Sequence, residues 1–162
     1  MEFRVLGPGD VGHMHSLLSL FGRAFDDADT YDSARPGDGY LAELLASPGF
    51  VVVVALHGDR VAGGLAAYVL PKFEQARSEV YIYDLAVDEP FRRRGVATGL
   101  IDRLRAVAAE RGAWVIYVQA DRGDGPAVAL YSKLGTAEDV LHFDIPPHRG
   151  AAPDRAPPRG ES

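Results

Sequence analysis

The segment that most constrains this chain runs from Tyr81 to Thr98, Tyr-Ile-Tyr-Asp-Leu-Ala-Val-Asp-Glu-Pro-Phe-Arg-Arg-Arg-Gly-Val-Ala-Thr. Residues 80–87 are aromatic, β-branched and nearly uncharged, the composition of a buried strand. A basic turn follows. Leu100, Ile101, Leu104, Val107 and Ala108 then recur at helical spacing, which predicts a helix from about Gly95 to Arg111. Residues 114–119 read as a strand again. A strand, a helix of that length and a second strand form a crossover, and a crossover implies parallel pairing.

The remaining elements are set by punctuation. Residues 2–6 predict a first strand, ended by Gly7-Pro8-Gly9-Asp10, and residues 11–26 a helix with Asp10 as its N-cap. Residues 26–39, rich in Asp, Gly and Pro, predict a loop. A short helix around Tyr40–Leu45 stops at Ser47-Pro48-Gly49. Residues 50–56 and 61–70, joined by His57-Gly58-Asp59-Arg60, predict an antiparallel hairpin. Residues 126–134 predict a helix stopped by Gly135, and residues 140–145 a last strand. The fold class is therefore α/β, an α+β mixed sheet in which an antiparallel meander precedes a parallel strand-helix-strand unit.

Residues 1–145 are expected to form a single domain. The stretch 146–162 holds five prolines and no large apolar side chain, so it is expected to be a disordered tail. The formal charge of −6 divides into −7 for 1–145 and +1 for the tail, with three Arg against one Asp and one Glu. An acidic body argues against a nucleic-acid partner and is compatible with a cationic one. With no cysteine in 162 residues, disulfides, cysteine-ligated zinc and thiol nucleophiles are excluded. The five histidines form no metal-binding spacing, so no metal is expected. No basic leader precedes an apolar run, and no apolar run reaches the roughly 20 residues of a membrane span. The expected location is cytoplasmic, away from any membrane.

The turn at 92–98 carries chemistry by position. It follows a strand and opens a helix, whose first N–H groups lack partners and attract anions. Gly95 permits close approach, Ala97 keeps the first turn small, and Arg92, Arg93 and Arg94 add charge. A diphosphate suits such a site; a solvated basic turn is the other reading.

Arg92-x-x-Gly95-x-Ala97 after such a strand resembles the acetyl-CoA pyrophosphate motif of the GNAT superfamily of N-acetyltransferases. Ala129-Leu130-Tyr131-x-Lys133-Leu134-Gly135 resembles its later motif. Longer runs, at residues 67–79, 81–87, 115–121 and 142–145, are similar to aminoglycoside 3-N-acetyltransferases of the gentamicin-resistance type. The resemblance is looser over the first fifty residues and does not extend to the tail.

The resemblance implies a GNAT fold and acetyl transfer to the 3-amino group of a 2-deoxystreptamine aminoglycoside. Leu85, Ala86 and Val87 would offer backbone groups to the pantetheine arm of acetyl-CoA, while Arg92, Arg93, Arg94, Gly95, Val96, Ala97 and Thr98 would hold its diphosphate. Strand alternation puts Ile82, Asp84 and Ala86 on one face and Tyr81, Tyr83, Leu85 and Val87 on the other. Asp84, a charge in an apolar strand, is expected to orient the acceptor ammonium and take its proton; a structural ion pair is the alternative. Tyr131 would protonate the departing thiolate; ordinary packing is its alternative.

Glu79, Tyr83, Asp84, Asp121, Asp124 and Asp144 are expected to face a cationic acceptor, and His142 is expected to be packed in the last strand. Without cysteine, direct attack with sequential kinetics is expected. A homodimer is expected as in relatives. Two other functions stay open: a GNAT enzyme for a polyamine, a protein N-terminus or a lysine, and a CoA-binding module without catalysis.

Overall fold

A computed structural model describes residues 1–148 of the chain. It divides into two compact units, 1–119 and a second that begins at Ala120. The calls on residues 149–162 of the tail lie outside the described residues, while 146–148 are exposed and without regular structure.

The first unit is one five-stranded sheet with helices on both faces. Its elements are β1 (Glu2–Val5), α1 (Val11–Ala24), α2 (Ala28–Tyr31), α3 (Asp38–Ala46), β2 (Phe50–His57), β3 (Arg60–Pro71), β4 (Ser78–Val87), α4 (Val96–Glu110) and β5 (Ala113–Val118), with a 3-10 turn at Glu89–Phe91. The strands lie in chain order. Those from β1 to β4 are antiparallel and β4–β5 is parallel. The meander and the crossover are as expected. The predicted loop after α1 contains one extra helical turn, α2, because the Asp27 side chain accepts a hydrogen bond from the Thr30 N–H and caps it. Asp10 is the N-cap of α1 as expected, but its carboxylate accepts from the Gly7 N–H at 2.8 Å and makes no side-chain cap to the helix.

Val51, Val52, Val53 and Val54 are all fully buried, so both faces of β2 are covered. On one face Val52 and Val54 pack with Met14, Leu17, Leu20 and Phe21 of α1 and with Leu41 and Leu45 of α3. On the other, α4 turns in Leu100, Ile101, Leu104 and Val107. Close packing requires glycine at two points. A Cβ on Gly64 would sit 2.5 Å from the Leu17 Cδ1, and one on Gly99 would sit 2.2 Å from the Phe3 Cζ.

Alternation along β4 is broken. Ala66 pairs with Asp84 but Ala67 pairs with Ile82, which leaves Tyr83 as an extra residue. The expected grouping of Ile82 with Asp84 and Ala86 is therefore corrected. Asp84 shares the α1 face with Ala66 and Val52, whereas Ile82 shares the opposite face with Ala67 and Val51.

The second unit contains α5 (Gly125–Leu134). The predicted strand at 140–145 is not formed, and Val140, Leu141, Phe143 and Ile145 are exposed. The alternating pattern is present, but among the described residues no strand supplies its ladder of hydrogen bonds.

Gly64→Ala is expected to destabilise the fold by about 1–3 kcal/mol, because Leu17 is fully buried and the Val53 carbonyl oxygen lies 3.0 Å from the added carbon. Urea unfolding of the variant against the parent chain measures it.

Candidate functional site

The site grows from β4, whose two edges have different fates. Its ladder with β5 runs from Ser78↔Ala113 to Ile82↔Val118 and stops. Its ladder with β3 continues to Gly63↔Val87. Residues 83–87 thus have no strand on the β5 side among the described residues, leaving an edge that an extended ligand can join. Leu85 and Val87 are half-buried and Ala86 is buried beside it. Arg92 closes the far end, its Nε donating to the Val87 carbonyl at 3.0 Å.

Beyond that edge the chain turns sharply. Arg93 and Gly95 both adopt positive φ, 62° and 75°. Gly95 is the N-cap of α4 and contributes no side-chain cap; the first bond back to it is from the Gly99 N–H at 3.0 Å. The N–H groups of Val96, Ala97 and Thr98 therefore open outward at the positive end of a 15-residue helix. Arg92, Arg93 and Arg94 are exposed and form no ion pair among the described residues. Asp88 anchors the turn from behind, with Arg60 at 2.6 Å and Arg23 at 3.8 Å, and Phe91 is buried beneath the Arg60 guanidinium. This construction suits an extended chain ending in an anion.

Asp84 lies on the α1 side of the sheet. The Tyr31 hydroxyl donates to its Oδ2 at 2.7 Å. Tyr31 is itself set by ring contacts with Phe21 and Phe25, and Arg35 ties the following loop to Ser19 and Asp32. The bulge brings Tyr83 round beside Asp84, next to Tyr68 and Tyr81. Six of the seven tyrosines, all except Tyr131, belong to this first unit. Sequence reasoning singled out only Tyr83 among the six. The pairings Tyr68↔Tyr81 and Tyr81↔Tyr117 are set by register between strands, which no local pattern reveals.

The other acidic candidates have partners that sequence does not show. Glu79 lies 3.6 Å from the Lys72 Nζ. In the second unit Asp124 caps α5 through the Ala127 N–H, and the Asp121 carbonyl accepts from the Asp124 N–H. Asp144 meets the His142 Nε2 at 3.1 Å, so His142 is exposed and paired instead of packed in a strand. Tyr131 is half-buried on α5, and burial, with a smaller contribution from Asp124, pushes its phenol above the usual 10.0. Among the described residues no three His, Asp or Glu side chains are placed to hold a metal, and no helix is long and apolar enough to cross a membrane.

The acetyltransferase (GNAT) family matches residues 14–136. The chain belongs to that family. GNAT acetyltransferases use acetyl-CoA as cosubstrate, and the open edge of β4 together with the uncapped start of α4 suits a pantetheine arm and a diphosphate. A crystal structure of an aminoglycoside acetyltransferase from an uncultured soil metagenomic sample is similar at 54% identity and a TM-score of 0.86, over 90% of this chain and 99% of that one. A second soil metagenomic aminoglycoside acetyltransferase, in complex with sisomicin, is 31% identical with a TM-score of 0.81, over 89% and 94%. The N-alpha-acetyltransferase of Saccharolobus solfataricus is 28% identical over 106 residues, 59% of this chain and 61% of that protein. The chain spans about half to three fifths of the length of the first curated relatives it matches.

Burial, then Tyr83, also raises the phenols of Tyr68 and Tyr81, with Asp84 contributing to both. A phenol raised in the fold holds its proton more tightly there than in the unfolded chain. Its contribution to stability is complete below pH 10 and is lost as pH climbs through the raised value. Tyrosinate absorbance should show Tyr68, Tyr81 and Tyr131 ionising only above pH 10.0, with stability falling over the same range. Ionisation of all seven tyrosines at the ordinary value in an intact fold would contradict this.

Proposed function

We propose that this protein is an aminoglycoside 3-N-acetyltransferase, acting on the 3-amino group of a 2-deoxystreptamine aminoglycoside of the gentamicin and sisomicin class and conferring resistance to it. The observation that carries the reading is Asp84, a carboxylate in a ring of tyrosines beside the open edge of β4. The 54% identity to an aminoglycoside acetyltransferase supports the acceptor class. The enzyme works in the cytoplasm as a homodimer, without a metal.

Acetyl-CoA supplies the thioester carbonyl that the acceptor amine attacks. Backbone groups of Leu85, Ala86 and Val87 align its arm as an added strand would, and Arg92, Arg93, Arg94 and the N–H groups from Gly95 to Thr98 hold its diphosphate. Asp84 holds the acceptor ammonium and takes one proton, directly or through water, which frees the nitrogen lone pair. Tyr31 fixes the carboxylate through its hydrogen bond. The C–N bond forms as the C–S bond breaks, and the second ammonium proton passes to solvent. Tyr131, kept protonated by its raised phenol, gives its proton to the departing thiolate and recovers one from solvent. Glu79, Tyr83, Asp121, Asp124 and Asp144 contribute to the acceptor side. No covalent enzyme intermediate is required, so the kinetics are sequential.

The curated relatives favour a second reading, acetylation of a protein N-terminus, since the matched proteins are N-alpha-acetyltransferases. Thiol release with gentamicin, sisomicin, kanamycin and an N-terminal peptide separates the two. The expected result is turnover of the aminoglycosides, with the acetyl group located on the 3-nitrogen by NMR. Turnover of the peptide alone would reverse the choice.

Asp84→Asn is expected to lower kcat/KM by about tenfold or more, at least about 1.4 kcal/mol of transition-state stabilisation. Steady-state kinetics on the folded variant decide; near-parental turnover removes Asp84 from the proton transfer. Tyr131→Phe is expected to lower kcat by about tenfold or more while the KM for either substrate is kept. An unchanged kcat assigns thiolate protonation to water.

A further inference from the structure

Four tyrosine rings on one side of β3, β4 and β5 form a continuous row, of which the proposed reaction places only Tyr83 on the acceptor side. Tyr68 stands almost perpendicular to Tyr83, with centroids 5.8 Å apart and planes at 88°. Tyr83 is 5.7 Å from Tyr81, and Tyr81 stacks on Tyr117 at 4.7 Å with planes within 6°. Register builds the row, since Tyr81 is the antiparallel partner of Tyr68 and the parallel partner of Tyr117. The bulge turns Tyr83 onto it, and the Tyr81 hydroxyl is held by the Gln119 Oε1 at 2.9 Å.

Two features set the row apart from packing aromatics. Tyr83 is 62% exposed and Tyr68 38%, so ring faces are presented to a ligand. The charge beside them is negative. Asp84 follows Tyr83 directly and its field reaches both Tyr68 and Tyr81. Glu79, two residues before Tyr81, adds a second carboxylate on this strand and lies 3.6 Å from the Lys72 Nζ. Aromatic faces beside a carboxylate attract cations, and their flat apolar surface matches the C–H face of a sugar ring.

We propose that this row is the acceptor platform: its rings take the protonated amino-sugar rings that are not being acetylated, while Asp84 takes the reacting amine. The assignment rests on the proposed aminoglycoside reaction and deepens it. From Tyr83, beside Asp84, the row runs through Tyr81 to Tyr117 on β5, so a ring over Tyr117 lies away from the reacting nitrogen. An extended peptide presents no such rigid faces, which makes the row a determinant of acceptor class.

Tyr83→Leu and Tyr117→Leu test it, with Tyr83→Phe keeping the ring. The leucine variants are expected to raise KM for gentamicin and sisomicin about fivefold or more, and to leave KM for acetyl-CoA and for 2-deoxystreptamine alone within about twofold. Tyr83→Phe should restore the parental values. Calorimetric titration of sisomicin into the chain without acetyl-CoA should show the same weakening. Unchanged acceptor KM and unchanged sisomicin binding in both leucine variants overturn the platform, even where the parent chain acetylates aminoglycosides. A Tyr83→Leu chain that changes oligomeric state in sedimentation while keeping its acceptor KM shows the row to be a contact between copies, which also overturns it. Sisomicin binding weakened by the leucine variants, in a parent chain that turns over no aminoglycoside, supports the platform and rejects the reaction.

Discussion

The structure depends on how the backbone hydrogen bonds of β4 are distributed. Up to Ile82 the strand is paired on both edges, and beyond it only on the β3 edge. Buried N–H and C=O groups require partners, and among the described residues no strand supplies them on the β5 side beyond Ile82, an edge that suits a ligand backbone. The bulge falls at the same point. One extra residue, Tyr83, follows the last pairing with β5 and turns Asp84 toward α1.

The layers around that strand serve its geometry. Gly64 lets Leu17 of α1 close on the sheet, and α1 carries Phe21, against which Tyr31 rests. Tyr31 in turn holds Asp84. A carboxylate at the end of this chain of packed rings keeps one orientation, as the proposed proton transfer requires. On the other face, α4 aims its uncapped N-terminus at the end of the same strand, while Asp88 pins the intervening turn to Arg60 and Arg23.

Much of this was legible in the residues. The crossover from residue 80 to residue 119 dictated the parallel pair, and Gly95 marked a position that adopts positive φ. What misled was strict alternation. Nothing between Ser78 and Val87 signals a bulge, since the stretch has no Gly or Pro. The partners of the acidic residues were hidden for a related reason. A sequence counts carboxylates but not their partners, and Glu79, Asp124 and Asp144 have Lys72, the start of α5 and His142. The last strand was drawn from a sound pattern at 140–145, yet a strand exists only where a neighbour completes its ladder.

By itself the sequence determined the hairpin, the crossover and the glycine turn that opens α4, because each follows from contacts local in the chain. Which side chains share a face beyond the bulge was decided only by the tertiary structure. The meeting of Tyr31 with Asp84 across 53 residues, and of Tyr68, Tyr81 and Tyr117 across three strands, depends on register. Register is fixed by pairing between strands and by packing against helices. A one-residue slip exchanges the faces of everything that follows.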